Sequence, residues 1–206
     1  RNQLNNKEYI LVTGASGKLG KTICEIFAER NENIIFHYFN SNQNVDLLIE
    51  EFKKKHNQIY LEKIRIDLSN LYSVHYFNEK IFKNYQIKGL VNNASIYIKD
   101  SKKNNDKFFH KNMNIHFRNP VSLISCLINS CAKEKFVINI TDNNLTDQYY
   151  QSYNKSKLLL SEFSQSIEGR HKEISIKELK PGKVLPSKNI RRSLSIFKQE
   201  FNKLIE

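Results

Sequence analysis

Tyr9-Ile10-Leu11-Val12-Thr13-Gly14-Ala15-Ser16-Gly17-Lys18-Leu19-Gly20 is the stretch whose reading decides the fold. Its apolar opening reads as a buried strand over Glu8–Thr13. Lys18–Arg30 then reads as a helix, with Leu19, Ile23, Ile26 and Phe27 at helical spacing on one face. Between the two, glycine permits a tight turn and a close approach of the backbone to an anion. The helix that follows offers free N–H groups and the positive end of its dipole. A glycine-rich turn that closes a strand and opens a helix is the setting in which such a turn cradles a pyrophosphate.

Outward from this stretch, short β-type runs alternate with longer helical segments. Strands are expected at Asn33–Phe39, Ile59–Ile66, Ile87–Asn92, Lys135–Thr141 and Glu173–Leu179. Helices are expected at Asn44–His56, Leu71–Asn84, Asp106–Ala132 and Tyr149–Glu168, and a last one over 189–206 carries Ile190, Leu194, Phe197, Phe201 and Leu204. Six strands separated by helices predict an α/β fold: a single doubly wound parallel sheet, Rossmann-like, with right-handed crossovers. With 206 residues, three prolines, six glycines and no repeat, the chain reads as one dinucleotide-binding domain.

Composition narrows the function classes. The net charge of +12 comes from 33 basic and 21 acidic residues, but the lysines are scattered among Asn and Ile. That pattern suits a solvated basic surface better than a nucleic-acid footprint. Apolar runs fall short of the roughly 20 residues that span a bilayer, and the first residues lack a secretory pattern. Cys24, Cys126 and Cys131 have no metal-ligand spacing and fit a reducing compartment. The expectation is a cytoplasmic protein without metal, membrane or nucleic-acid partner.

The expected cofactor is NADPH. Where an acidic residue would meet an unphosphorylated ribose at the end of the second strand, the chain has Phe36-His37-Tyr38-Phe39-Asn40-Ser41. Lys18 in the glycine turn and Ser41 make that corner cationic and rich in donors, which suits an extra phosphate; the plain alternative for Lys18 is a solvated lysine at a helix start. Asp67-Leu68 ends the third strand, where a side-chain acceptor could hold the adenine amino group. Asn92-Asn93-Ala94-Ser95 ends the fourth, either lining the crevice or serving as an ordinary turn.

At the chemical end, Tyr153-Asn154-Lys155-Ser156-Lys157 puts a phenol and an ammonium on one helix face. A tyrosine ionises near 10, and a fixed positive charge beside it is expected to lower that value. The pair would serve as proton donor in a hydride transfer, with the lysine also bonding a ribose.

Thr13–Gly20, Asn92–Ser95, Tyr153–Lys157 and Pro181-Gly182, in this order over about residues 8–187, resemble the short-chain dehydrogenase/reductase superfamily. Within it the chain is most similar to pteridine reductases and dihydromonapterin reductase. Lys18 stands where those enzymes place an arginine. His37-Tyr38 and Ser41 are similar to their phosphate-holding stretch, with Asn40 at an arginine's place. Asp142 replaces the usual catalytic serine.

The resemblance implies Asp142, Tyr153 and Lys157 as a catalytic set, with His116 where most members carry asparagine. The alternative for His116 is a core or helix-kink histidine. It further implies Tyr97 stacking on a pterin ring and Ser95 bonding the pterin or a cofactor phosphate. Gly14, Ser16, Gly17, Lys18, Leu19, Gly20, His37, Tyr38, Asn40, Ser41, Asp67, Leu68, Asn93, Ala94, Ser95, Tyr153, Lys157, Pro181 and Gly182 would bind the cofactor. The implied reaction reduces a dihydropterin of the monapterin, biopterin or folate type. Two readings stay beside it: a 3-oxoacyl thioester ketoreductase, with Thr141 or Asn143 replacing the serine, and a non-catalytic NADP sensor. The family's last strand is not found before Glu206. A homodimer or homotetramer is implied through the apolar faces around 106–132 and 149–168, with Leu123, Leu127, Leu159, Leu160 and Phe163; packing of these faces on the sheet is the alternative.

Overall fold

The computed structural model describes residues 7–40, 42–101, 105–143, 145–181 and 190–206. Ser41, Gly182 and the stretch Lys183–Ser187 therefore lie outside the described residues. In chain order the elements are β1 (Glu8–Val12), α1 (Lys18–Glu29), β2 (Asn33–Tyr38), α2 (Asn42–Lys55), β3 (Leu61–Arg65), α3 (Ser73–Phe77), β4 (Gln86–Asn92), α4 (Asn105–Met113), α5 (Asn119–Ile128), β5 (Lys135–Ile140), α6 (Gln151–Ile167), β6 (Ile174–Leu179) and α7 (Ile190–Ile205). The strands form one parallel sheet in the order β3-β2-β1-β4-β5-β6. Strand order reverses between β1 and β4, and a doubly wound sheet opens its ligand crevice beyond the carboxyl ends of the strands at that point.

The alternation of side chains along β1 divides the core in two. Ile10 and Val12 join Ile23, Phe27, Phe36 and Phe52 on one face, whereas Tyr9 and Leu11 join Phe77, Leu90, Leu123 and Leu127 on the other. The first core is completed by α7, whose Phe197 and Phe201 are fully buried, Phe201 edge-on to Phe27 at 5.6 Å. Burying each such ring contributes about 2–3 kcal/mol. A Cβ on Gly89 in β4 would lie 2.3 Å from the Phe136 ring across the ladder, so that ring occupies the space glycine leaves.

Two of the expected helices, Leu71–Asn84 and Asp106–Ala132, are interrupted. Residues 78–82 follow α3 as a π-helical turn, and Asn114–Arg118 is a π-helical turn between α4 and α5. Pro120 has no N–H to donate, which loosens the ladder just where the second interruption lies. Of the apolar residues expected on α5 and α6, Leu123, Leu127 and Leu160 are buried within the chain itself, as the alternative of packing on the sheet has it, while Leu159 and Phe163 are half-buried. Leu158 is the large apolar residue that α6 leaves exposed. No helix among the described residues is long and apolar enough to cross a membrane, and none of their His, Cys, Asp and Glu side chains form a group of three that could hold a metal ion.

Candidate active site

A cleft of about 660 Å³ lies along the carboxyl ends of the strands. Apart from His116 and Asn143, every site residue named from the sequence that is among the described residues lines it. Thr141, the serine's alternative, lines it too, and so do Phe39, Ser69, Ile96, Lys111, Ile115 and Ile140, which were not expected.

One end is shaped by backbone. Gly14 has φ +64, in the left-handed region, and a Cβ on it would sit 2.7 Å from the Ala94 Cα. At Gly20 a Cβ would fall 2.1 Å from the Gly14 carbonyl oxygen, so only glycine lets α1 start against the turn. Asn93 holds the turn from β4: its Nδ2 donates to the carbonyls of Thr13 at 3.0 Å and Gly14 at 3.2 Å. Thr13 Oγ1 accepts the N–H groups of Asn93 and Ala94 and donates to Val91 O.

His37 is a correction to the expected phosphate holder. It is 3% exposed, accepts the Gly14 N–H at Nδ1 (3.2 Å) and donates from Nε2 to Ile66 O (2.8 Å). Both nitrogens are thus engaged inside the protein, and the ring ties β1's turn to the end of β3. Burial lowers its pKa from 6.5 to about 4, against the raising influence of the Ile66 carbonyl and Asp67. Lys18 and Asn40 remain exposed on the lip of the cleft. Arg65, not foreseen, donates to Phe39 O at 2.9 Å and lies over the Phe39 ring, adding a cation at the end of β2. Asp67 accepts the Ser69 N–H at 2.8 Å.

Side chains from distant segments assemble the other end. Tyr153 and Lys157 are one turn apart on the buried face of α6. The start of α6 is pinned to the chain after β4: Asp100 N–H donates to Tyr149 O, and the Ser152 N–H donates to Asp100 Oδ2 at 3.1 Å. A carboxylate at a helix N-terminus is also favoured by the dipole. Tyr97 stacks on Tyr150 at 4.0 Å and meets Tyr153 edge-on at 4.9 Å. Tyr150 carries no signal in the sequence, because the stack joins residues far apart in the chain.

Tyr153 Oη donates to Asp142 Oδ2 at 2.7 Å. Lys157 is buried and donates to Ile140 O at 3.0 Å, with Nζ 5.8 Å from the Tyr153 ring centre. The expected lowering of the tyrosine pKa is not found. Burial raises it first, the Asp142 hydrogen bond and charge raise it further, and only Ser95 works the other way. The ammonium is directed at a carbonyl while the carboxylate touches the phenol, so the carboxylate prevails. Burial also lowers the Lys157 pKa to about 8, opposed by Asp142.

His116 stands behind the cleft wall, 1% exposed. Its Nε2 accepts the Ile96 N–H at 3.1 Å and lies 3.0 Å from Ser95 Oγ. The Ser156 hydroxyl donates to Tyr153 O, so it accepts from His116 Nδ1, 2.9 Å away. These partners require a neutral ring with the proton on Nδ1. Burial, followed by the Lys157 charge, holds its pKa well below 6.5. Thr141 is turned to Glu178, and Asn143 to Lys180 O at 3.4 Å.

Solved structures share this architecture. FolM alternative dihydrofolate reductase 1 from Brucella canis, complexed with NADP, superposes with a TM-score of 0.76 at 20% identity, covering 95% of this chain and 88% of its own. The Brucella suis enzyme, also with NADP, gives 0.77 at 21% identity over 90% of this chain and 76% of its own. The bulky-bulky ketone specific alcohol dehydrogenase from Comamonas testosteroni gives 0.82 at 18% identity, over 97% and 84%. At such identities the likeness is one of fold. The uncharacterized oxidoreductase YmfI of Bacillus subtilis is 41% identical over 59 residues, 29% of this chain, and the match spans about a quarter (24%) of that protein's length. The family model for short chain dehydrogenases matches residues 8–194, which takes in the glycine turn, the β4 loop and the tyrosine–lysine helix together, and the chain belongs to that family.

Proposed function

We propose that this chain is an NADPH-dependent reductase that acts on the C=N bond of a dihydropterin, with Tyr153 as the acid that protonates the ring nitrogen. The observation that carries this reading is the 2.7 Å hydrogen bond from Tyr153 to the carboxylate of Asp142. A carboxylate is an acceptor and repels the lone pairs of a ketone oxygen, whereas the amino-pyrimidine edge of a pterin presents N–H donors to it. Thr141 and Asn143, the residues that could polarise a ketone in its place, are directed to Glu178 and Lys180. The NADP complexes of the two FolM dihydrofolate reductases agree with the reading.

The cleft suits a phosphorylated dinucleotide. The turn at Gly14 and Gly20 has no room for side chains, the α1 N-terminus opens toward it with Lys18 on the lip, and Arg65 adds a cation where it bonds Phe39 after β2. Gly14, Ser16, Gly17, Lys18, Leu19 and Gly20 would hold the pyrophosphate, with Tyr38 and Asn40 beside the extra phosphate. Asp67 and Leu68 would flank the adenine; Asn93, Ala94, Ser95, Lys157 and Pro181 would flank the nicotinamide ribose. When bound, NADPH supplies the hydride. The chain itself supplies the proton: burial and Asp142 keep Tyr153 protonated at neutral pH, as a reductase's acid must be. Lys157 keeps a positive charge beneath it, and Tyr97, braced by Tyr150, offers a flat face to the substrate ring.

Steady-state NADPH oxidation tests the reading, with dihydromonapterin, dihydrobiopterin and dihydrofolate run beside an acetoacetyl thioester. Turnover of at least one pterin with little on the thioester is expected. Thioester reduction without pterin turnover overturns the assignment.

A further inference from the structure

From the contact of Ser95 Oγ with His116 Nε2 and the edge-on packing of that imidazole on Tyr153, we propose that the Ser95 hydroxyl stabilises the phenolate left on Tyr153 after proton transfer, and that buried His116 holds that hydroxyl ready. The inference rests on the reading of Tyr153 as the acid, and it assigns to the β4 loop the part that a serine after β5 cannot play in this chain.

The proton inventory leads to it. Ser156 has one proton, taken by Tyr153 O, so His116 must donate from Nδ1 and keep Nε2 bare. The bare Nε2 already accepts the Ile96 N–H, and it is the acceptor for the Ser95 hydroxyl 3.0 Å away. While Tyr153 is protonated, its own hydrogen goes to Asp142 and it asks nothing of Ser95. When the Tyr153 O–H bond breaks and the proton passes to the substrate nitrogen, the oxygen becomes an anion beside a carboxylate. A donor must then replace the lost hydrogen. Ser95 is the hydroxyl that already favours the ionised phenol, whereas burial, Asp142 and Tyr97 all oppose it. Its hydrogen turns from His116 Nε2 to the phenolate oxygen, no bond beyond Tyr153 O–H is broken, and Nε2 stays satisfied by Ile96. The imidazole sits edge-on to Tyr153 at 5.3 Å, so it fixes the two residues relative to each other from behind the cleft wall. The charged and titratable groups around this cluster are Lys157, Asp142 and Tyr97.

A probe that needs neither cofactor nor substrate tests the proposal. Trifluorotyrosine at position 153, whose phenol ionises in an accessible range, is titrated by fluorine NMR in otherwise wild-type protein and in Ser95 variants. Ser95→Ala is expected to raise the midpoint by about 1 pH unit, the size of a hydrogen bond to a charged group. Ser95→Thr, which keeps the hydroxyl, should restore it, and Ser95→Cys, with a weaker donor, should fall between. His116→Ala should raise the midpoint by less than Ser95→Ala does. With natural tyrosine, Ser95→Ala should lower kcat about tenfold. An unchanged midpoint in Ser95→Ala overturns the proposal. Because the titration is independent of turnover, absence of pterin reduction in the wild type would fail the functional reading and leave this result readable.

Discussion

The two ends of the cleft are built by opposite means. The glycine-turn end is a contiguous stretch, Thr13–Gly20, shaped by missing side chains and held from behind by Asn93 and His37. The tyrosine end is assembled from the β4 loop, the π-helical turn at Asn114–Arg118, the end of β5 and α6, and its working parts are protons. A buried neutral histidine braces each end, His37 across β1 and β3 and His116 across the β4 loop and α6. Steric changes should therefore break the first end, and changes of protonation should break the second.

The largest effect is expected from Gly20→Ala. Its Cβ would fall 2.1 Å from the Gly14 carbonyl, so the turn must open. Loss of measurable NADPH binding in a fluorescence titration should accompany a stability loss of at least about 3 kcal/mol in urea unfolding. Tyr153→Phe should break the other end alone: kcat about a thousandfold lower, with the NADPH dissociation constant within about twofold of wild type.

The histidine braces give a pH signature of nearly the same size. Folded His37 takes its proton only near pH 4, while the unfolded chain takes it near 6.5. Between those values the unfolded state binds the extra proton, so stability falls as the pH falls, by about 3 kcal/mol for this residue. His116 acts in the same direction. Urea unfolding at pH 7, 5.5 and 4.5 should show the decline, and His37→Gln, which keeps a donor and an acceptor but does not titrate, should flatten it.

Asp142→Asn sharpens the contrast at the chemical end. The carboxylate raises the Tyr153 pKa, and a reductase loses activity as the pH rises through that pKa. Removing the charge should bring the alkaline limb of kcat to lower pH and reduce pterin turnover about tenfold. The smallest effect is expected at Gly17. Its Cβ would stand 3.5 Å from the Gly14 carbonyl with an ordinary φ, so Gly17→Ala should change stability by less than about 0.5 kcal/mol.

Much of the architecture was legible in the sequence because parallel strands buried on both faces read as apolar runs and the helices carry their period. Six strands, the glycine turn and the tyrosine–lysine helix emerge within a few residues of their observed bounds. The interruption of the helix around 106–132 did not, since a π-helical turn barely disturbs the apolar spacing. The cleft lining follows from strand ends and was largely foreseen. The partners of each lining group were not: His37 bonds the turn, Tyr150 stacks on Tyr97, and Asp142 prevails over Lys157 at the phenol.

By itself, then, the sequence determined what is periodic or local: the parallel sheet with its helices, the turn that only glycine can make, and the one-turn spacing of Tyr153 and Lys157. Tertiary structure alone decided where protons sit. Burial and charges brought together from distant positions control ionisation, and neither quantity is written in the spacing of residues along a chain.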